Sequence, residues 1–197
     1  MLREKIDILT LLFSKPDGFI KDRIIEGNMG EMLETAFPNF KWEDFSDGEF
    51  NKNAAEKIEK DYLYLFIGVS SPLASPYASS YYRKKSRLMD KPARDNIRLM
   101  KKWGLEMEES YKDLPDHILT TLNIISVLLE HKDNVEEEVL KKEISEDIYN
   151  TIKNMEWLEI FRERIAENEE AKVYSKFTDA LIETFQEMKL SWENSQA

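Results

Sequence analysis

Cysteine is absent from the 197 residues, which removes disulfides, thiolate nucleophiles and the cysteine ligands of zinc and iron–sulfur centres. Histidine is nearly as scarce. Only His117 and His131 occur, and the residues three before them are Leu114 and Leu128, so neither forms the Glu-x-x-His pair of a di-iron carboxylate bundle. No metal or other cofactor is expected of the chain itself. Six glycines leave little material for a phosphate-cradling loop, and neither common glycine-rich pattern appears. Basic residues are outnumbered 28 to 39, giving a formal charge of −11 and a pI near 4.9. That balance argues against nucleic acid, whose binding rests on clustered Lys and Arg. The same field would draw in a cationic peptide, although net charge of either sign also simply favours solubility.

Long membrane-compatible runs are missing too. The longest uncharged stretch, Tyr62 to Tyr82, contains Pro72, Pro76 and five serines, which would leave polar groups unsatisfied in lipid. The short apolar run Ile8 to Phe13 is preceded by Asp7, followed by Lys15 and Asp17, and lacks a small-residue cleavage site, unlike a secretory signal. A soluble cytoplasmic protein with no membrane insertion is the expectation. The length suits one domain, and 42% hydrophobic residues suffice for a substantial core.

What the sequence does contain is helical periodicity. Leu2, Ile6, Leu9 and Phe13 form one stripe, and Ala55, Ile58, Tyr62 and Leu65 another. Ala93, Ile97 and Met100 lead to Gly104, a residue suited to the left-handed position after a helix. Ile118, Leu122, Ile125 and Leu129 mark the next helix. The C-terminal third repeats the pattern through Leu140, Ile144, Ile148, Ile152 and Met155, then Trp157, Phe161 and Ile165, then Val173, Phe177, Leu181, Phe185, Met188 and Trp192. No alternating β-branched run competes, so an all-α bundle is expected. Breaks fall at Pro38–Phe50, Ser70–Tyr82, Glu106–Leu114 and His131–Glu138. In a chain with 34% charged residues, the second break is uncharged, rich in hydroxyl groups and aromatic, with prolines that favour extended backbone. Such a loop suits peptide contact, or it is a neutral connection buried against the bundle. Phe37, Phe40, Trp42, Phe45 and Phe50 cluster in the first break, where they either seal the bundle edge or form a partner-binding patch.

Catalytic constellations are poorly supported. Asp116 and His117 are adjacent, but neighbours on a helix diverge by about a hundred degrees, and no Gly-x-Ser-x-Gly elbow supplies a nucleophile. The carboxylates between Glu136 and Glu170 fit a solvated helical face with pairs such as Glu138 and Lys142. Asp113-Leu-Pro-Asp116 reads as a helix start, with Asp113 as N-cap, Pro115 in the first turn and Asp116 closing a capping box. The chain is therefore not expected to be an enzyme; a small hydrolase using His117 is the catalytic alternative.

Three motifs occur in order: Tyr62-Leu-Tyr-Leu-Phe-Ile-Gly68, Pro76-Tyr-Ala-Ser-Ser-Tyr81 and Pro115-Asp-His-Ile118. In sequence and spacing they resemble the TorD/DmsD/NarJ family of maturation chaperones, and Trp157, Phe161, Tyr174 and the Phe177–Phe185 segment resemble that family's last helices. The resemblance implies an all-helical chaperone in two lobes, about 1–130 and 139–197, joined by a hinge at about 131–138. It implies a partner as well: the precursor of a molybdenum-dependent redox enzyme, held by its twin-arginine signal peptide until cofactor insertion. Carried over, Pro72, Pro76, Tyr77, Ser79 and Tyr81 would line the loop side of the peptide site, and Pro115, Asp116 and His117 the helix side. Ala78 stands where many relatives have Glu, and Thr121 and Asn123 where acidic residues are frequent, so some carboxylates of that site are missing. A monomer or a lobe-exchanged dimer is compatible. A general helical adaptor using the Phe37–Phe50 aromatics is the alternative among binding proteins.

Overall fold

The computed structural model describes residues 2–42, 48–68, 70–82, 89–108, 111–168 and 171–196, with the side chains of 48–51 outside that description. Phe45, and the side chain of Phe50, therefore lie outside the described residues. Within them the chain folds into nine α-helices and no strand, 73% helical as a whole. These are α1 (Leu2–Phe13), α2 (Gly18–Ile25), α3 (Asn28–Ala36), α4 (Gly48–Tyr62), α5 (Lys91–Lys102), α6 (Ile118–Asn134), α7 (Glu138–Lys153), α8 (Leu158–Ala166) and α9 (Lys172–Gln196).

Helix α6 is apolar around most of its circumference, and it is accordingly central. Ile118, Leu122, Ile124, Ile125, Leu128 and Leu129 are all buried, as are Thr120, Thr121 and Ser126 between them. α1 packs along one side of α6 and α7 along another, while α9 closes over α1 and α7, and α8 packs on α9. On the far edge α2 pairs with α4 and α3 with α2. One hydrophobic cluster runs through all of these helices, from Ile6 on α1 to Met188 on α9. A three-residue connection, 135–137, joins α6 to α7, so α6 continues through the first half of the break expected at 131–138.

Aromatic rings form the spine of this core. Phe66 stacks on Phe161 with centroids 5.7 Å apart and stands edge-on to Tyr174 at 5.0 Å. Tyr174 meets Phe177, which meets Trp42, and at the other end Phe161 meets Trp157. Phe37 and Trp42 are buried, the Trp42 indole N–H donating to the Phe37 carbonyl at 3.1 Å, and Phe40 packs partly buried beside them. These three aromatics thus seal the bundle edge rather than offering an exposed patch.

Local departures from the expected pattern have clear causes. Directly after α4 ends at Tyr62, the chain widens into a single π-turn over Leu63–Ile67, closed by the Gly68 N–H on the Leu63 carbonyl at 2.8 Å. Gly68 has φ +64°, and a Cβ there would lie 2.1 Å from the Ser71 carbonyl oxygen, so only glycine fits this exit. On α5 the expected apolar position Ile97 is 40% exposed, and Asn96 takes the buried place between Ala93 and Met100. Gly104 does adopt positive φ just beyond α5. Asp17 and Asp90 cap α2 and α5 through their side chains.

Two substitutions test the aromatic spine. Phe161 is fully buried, so Phe161→Ala is expected to lower unfolding stability by about 3–5 kcal/mol, measured by urea titration. The Tyr174 hydroxyl is buried with no hydrogen-bond partner, so Tyr174→Phe is expected to leave stability equal or raise it by about 1 kcal/mol. A loss of that size in Tyr174→Phe would show that the hydroxyl is satisfied in solution.

Candidate functional site

The first residues of α6 lie against the uncharged loop, and two backbone hydrogen bonds join them. The Ile118 N–H donates to the Pro76 carbonyl at 2.8 Å, and the Ala78 N–H to the Asp116 carbonyl at 3.0 Å, bracketing an antiparallel bridge between Tyr77 and His117. Past the bridge the loop coils into a 3₁₀ turn, Ala78–Tyr81, where the prolines had suggested extended backbone. Asp116, with no exposed surface, accepts the Ser79 N–H at 2.8 Å through Oδ2, while Oδ1 has no partner. Ser79 Oγ accepts the Asp90 N–H at 3.0 Å, which fixes the loop to the start of α5. Asn96, one turn into α5, donates to the Pro115 carbonyl at 2.8 Å and to Thr121 Oγ1 at 2.9 Å. Loop, α5 and α6 are thereby tied pairwise by buried polar contacts.

The capping scheme read from Asp113-Leu-Pro-Asp116 is corrected by this geometry. His117 is the N-cap of α6, its Nδ1 accepting the Leu119 N–H at 3.1 Å, and Asp116 reaches across to the loop instead of back into its own helix. Asp113 is freed from capping. Its Oδ1 accepts the Tyr77 hydroxyl, its Oδ2 lies 3.8 Å from His117 Nε2, and its side chain is 32% exposed. The Tyr77 ring stands edge-on to the His117 imidazole, with centroids 5.0 Å apart.

Electrostatically this is a carboxylate among neutral phenols. Burial raises the pKa of Tyr62, Tyr77 and Tyr111, and the negative charge of Asp113 raises each further. They remain protonated through the physiological range, and of the three the Tyr77 hydroxyl donates to Asp113. For His117, burial lowers the pKa, and the opposing pull of Asp113 and Asp116 is smaller. The N-cap contact requires an unprotonated Nδ1, so geometry and desolvation both favour the neutral ring. No serine hydroxyl hydrogen-bonds to His117 among the described residues, so the hydrolase reading finds no nucleophile in this geometry. Nor do three His, Asp or Glu side chains gather there as metal ligands.

Of the residues singled out in the sequence, Pro76, Tyr77, Ser79, Pro115, Asp116 and His117 come together, with Pro76, Ser79, Asp116 and His117 buried. Tyr81 diverges. Its hydroxyl donates to the Ser75 carbonyl at 2.8 Å, and its ring stacks on Trp157 at 5.1 Å beneath the Arg164 guanidinium. Pro72 is partly buried earlier in the loop. Sequence reasoning missed Asp113 as a surface-facing acid, and it missed Asn96 altogether, a polar residue in an apolar stripe. Two open grooves flank this junction. One, of 600 Å³, is lined by Tyr81, Tyr82, Trp157 and Ile160 among others, and the other, of 580 Å³, runs along α6 beyond Tyr111. No helix of the described residues is long and apolar enough to cross a membrane.

Comparison with known proteins covers the same region. A family model described as nitrate reductase delta subunit matches residues 29–156, a span that holds both the loop and the start of α6. The chaperone protein TorD of Vibrio parahaemolyticus is 28% identical over 135 residues, 67% of this chain and 63% of that protein. TorD of Vibrio atlanticus is 33% identical over 92 residues, 46% of this chain and 43% of that protein. The matched stretch thus spans less than two thirds of these relatives. A candidate redox enzyme maturation protein from Archaeoglobus fulgidus, known from a crystal structure, superposes with a TM-score of 0.58 at 20% identity over 94% of both chains, a likeness of fold.

A pH experiment isolates the His117 cap. Because its folded-state pKa lies below the ordinary 6.5, the unfolded chain binds the proton more readily. The stability contributed by the neutral ring is complete above that ordinary value and is lost as pH falls through the folded-state value. Urea unfolding between about pH 7.5 and pH 5.5 should therefore show a steeper acid loss for the wild type than for His117→Asn, which retains a capping acceptor. Parallel pH profiles would show that His117 titrates alike in both states.

Proposed function

The chain belongs to the nitrate reductase delta subunit family, and from that premise we propose that it is a cytoplasmic maturation chaperone. On this reading it binds the precursor of a molybdenum-dependent redox enzyme through its twin-arginine signal peptide, and it holds the precursor without a reaction of its own. The supporting observation is Asp113: a partly exposed carboxylate, flanked by phenols, at the junction of the loop and α6 in a chain of charge −11. Its Oδ1 is occupied by the Tyr77 hydroxyl, while Oδ2, 3.8 Å from His117 Nε2, is beyond hydrogen-bond reach of that ring and retains acceptor capacity for an incoming guanidinium. A cation at this mouth meets a carboxylate, and the apolar residues that follow it in a signal peptide meet aromatic and aliphatic surface.

In this proposal Asp113 and Tyr77 contact the peptide. Pro76, Ser79, Pro115, Asp116 and His117 act by holding the loop against α6, and Pro72 and Tyr81 shape the far side of the loop. The 135–137 connection is the proposed hinge between lobes, and exchange of α7–α9 across it would produce a dimer.

Calorimetric titration with a synthetic twin-arginine signal peptide, at low and high ionic strength, tests the reading. Asp113→Asn keeps an acceptor for Tyr77 and removes the charge, so it should weaken binding by roughly 1–3 kcal/mol, with the difference shrinking at high salt. Thermal melting should change little. Absence of measurable binding by the wild type, or equal affinity in the folded variant, would overturn the proposal.

A further inference from the structure

Beyond Gly104 the chain does something unusual for a helical bundle. Residues Leu105, Glu106, Met107 and Glu108 carry no regular structure, and their exposure alternates: Leu105 and Met107 are half-buried against the core, Glu106 and Glu108 exposed. This two-residue period is that of an extended chain. The Leu105 N–H is taken by the Met100 carbonyl at 2.8 Å, but among the described residues the backbone groups of Glu106 and Met107 have no hydrogen-bond partner. An unpaired extended segment is a template for a further strand.

Beside it lies the 580 Å³ groove, floored by Met100, Leu105, Met107, Ile124 and Val127 and closed at one end by Tyr111. Asn123 is exposed within it, and among the described residues lining it the charged ones are Glu106 and Glu108. Tyr111, which lines the groove, stands two residues before Asp113, so the groove lies beside the Asp113 mouth. The second groove, lined by Tyr81, Tyr82, Lys153, Glu156 and Trp157 among others, shares no described residue with this one.

We propose that the groove along α6 receives the apolar segment that follows the arginines of the bound peptide, docked extended and hydrogen-bonded to the backbone of Glu106 and Met107. The proposal rests on the signal-peptide reading above and specifies where the peptide runs after Asp113. Apolar side chains of the peptide enter the methionine-lined floor, which adapts to varied shapes, and any flanking Lys or Arg faces Glu106 and Glu108. The strand-like backbone pairing adds affinity without demanding a particular sequence.

The test uses the full chain and the same synthetic twin-arginine peptide. Asn123→Arg places a long cationic side chain in the groove at an exposed helical position, where folding is little affected. Binding should weaken about tenfold or more, and by much less in Asn123→Gln, which adds neither charge nor length comparable to arginine. In hydrogen-exchange measurements the bound peptide should slow the amides of Glu106 and Met107 about tenfold or more, since they have no partner among the described residues. If Asp113→Asn weakens binding while Asn123→Arg does not and those amides are unaffected, this inference falls and the signal-peptide reading stands. If the wild type binds no peptide, both fall. Weakening by Asn123→Arg with unprotected amides would overturn the extended, backbone-paired docking.

Discussion

The geometry of the site depends on one buried contact, the Asp116 side chain accepting the Ser79 N–H across the junction of loop and helix. It acts together with the paired backbone bonds around Tyr77 and His117, which place a short antiparallel bridge inside an otherwise helical protein. Without it the Ser79 N–H would be a buried donor with no acceptor, and the loop would lose its registration against α6. Every other polar contact nearby follows from that registration. Ser79 Oγ meets the start of α5, Asn96 on α5 meets Pro115 and Thr121, and Tyr77 is delivered to Asp113.

A buried carboxyl with one oxygen unpaired is a costly way to build a junction, and its position offsets part of that cost. Asp116 lies just before the first turn of α6, where the unsatisfied backbone N–H groups and the helix dipole favour negative charge. The neutral His117 beside it caps the helix through Nδ1, so the dipole is not opposed by an imidazolium. Acid at Asp116 and a neutral base at His117 are therefore two aspects of one helix start. Hydrophobic packing supplies the rest of the rigidity, through the spine from Trp42 to Trp157 that ends under Tyr81.

Much of this was legible in the sequence, because period-3.6 stripes located seven of the helices and two of the three ordered motifs contain the loop and the helix start that lie in contact. What escaped detection was tertiary or depended on exceptions to local rules. Asp-x-Pro-Asp is a sound helix-start pattern, yet the long-range acceptor role of Asp116 outcompeted the local capping box, and His117, an uncommon cap residue, took the place left open. Asn96 leaves no local signal because its partners are a carbonyl 19 positions away and a hydroxyl 25 away. The π-turn at Leu63–Ile67 sat hidden in an apolar run that reads as ordinary helix, with Gly68 as its only sign. Grooves leave no linear trace, since their walls come from separate helices.

The division of labour between the two aspartates follows from spacing. Asp116 precedes the His117 cap directly and turns inward to the loop, whereas Asp113 stands four residues before His117 and reaches the surface while its Oδ2 still faces the ring. One carboxyl is thus committed to structure and the other, held in place by Tyr77, keeps part of its hydrogen-bonding capacity for solvent or a ligand. Both are oriented by the same rigid helix start, so a ligand at Asp113 meets a preorganised acceptor rather than a mobile side chain, and little conformational entropy is lost on contact. For the proposed retention of a flexible segment, the ordering cost would then fall almost wholly on the segment.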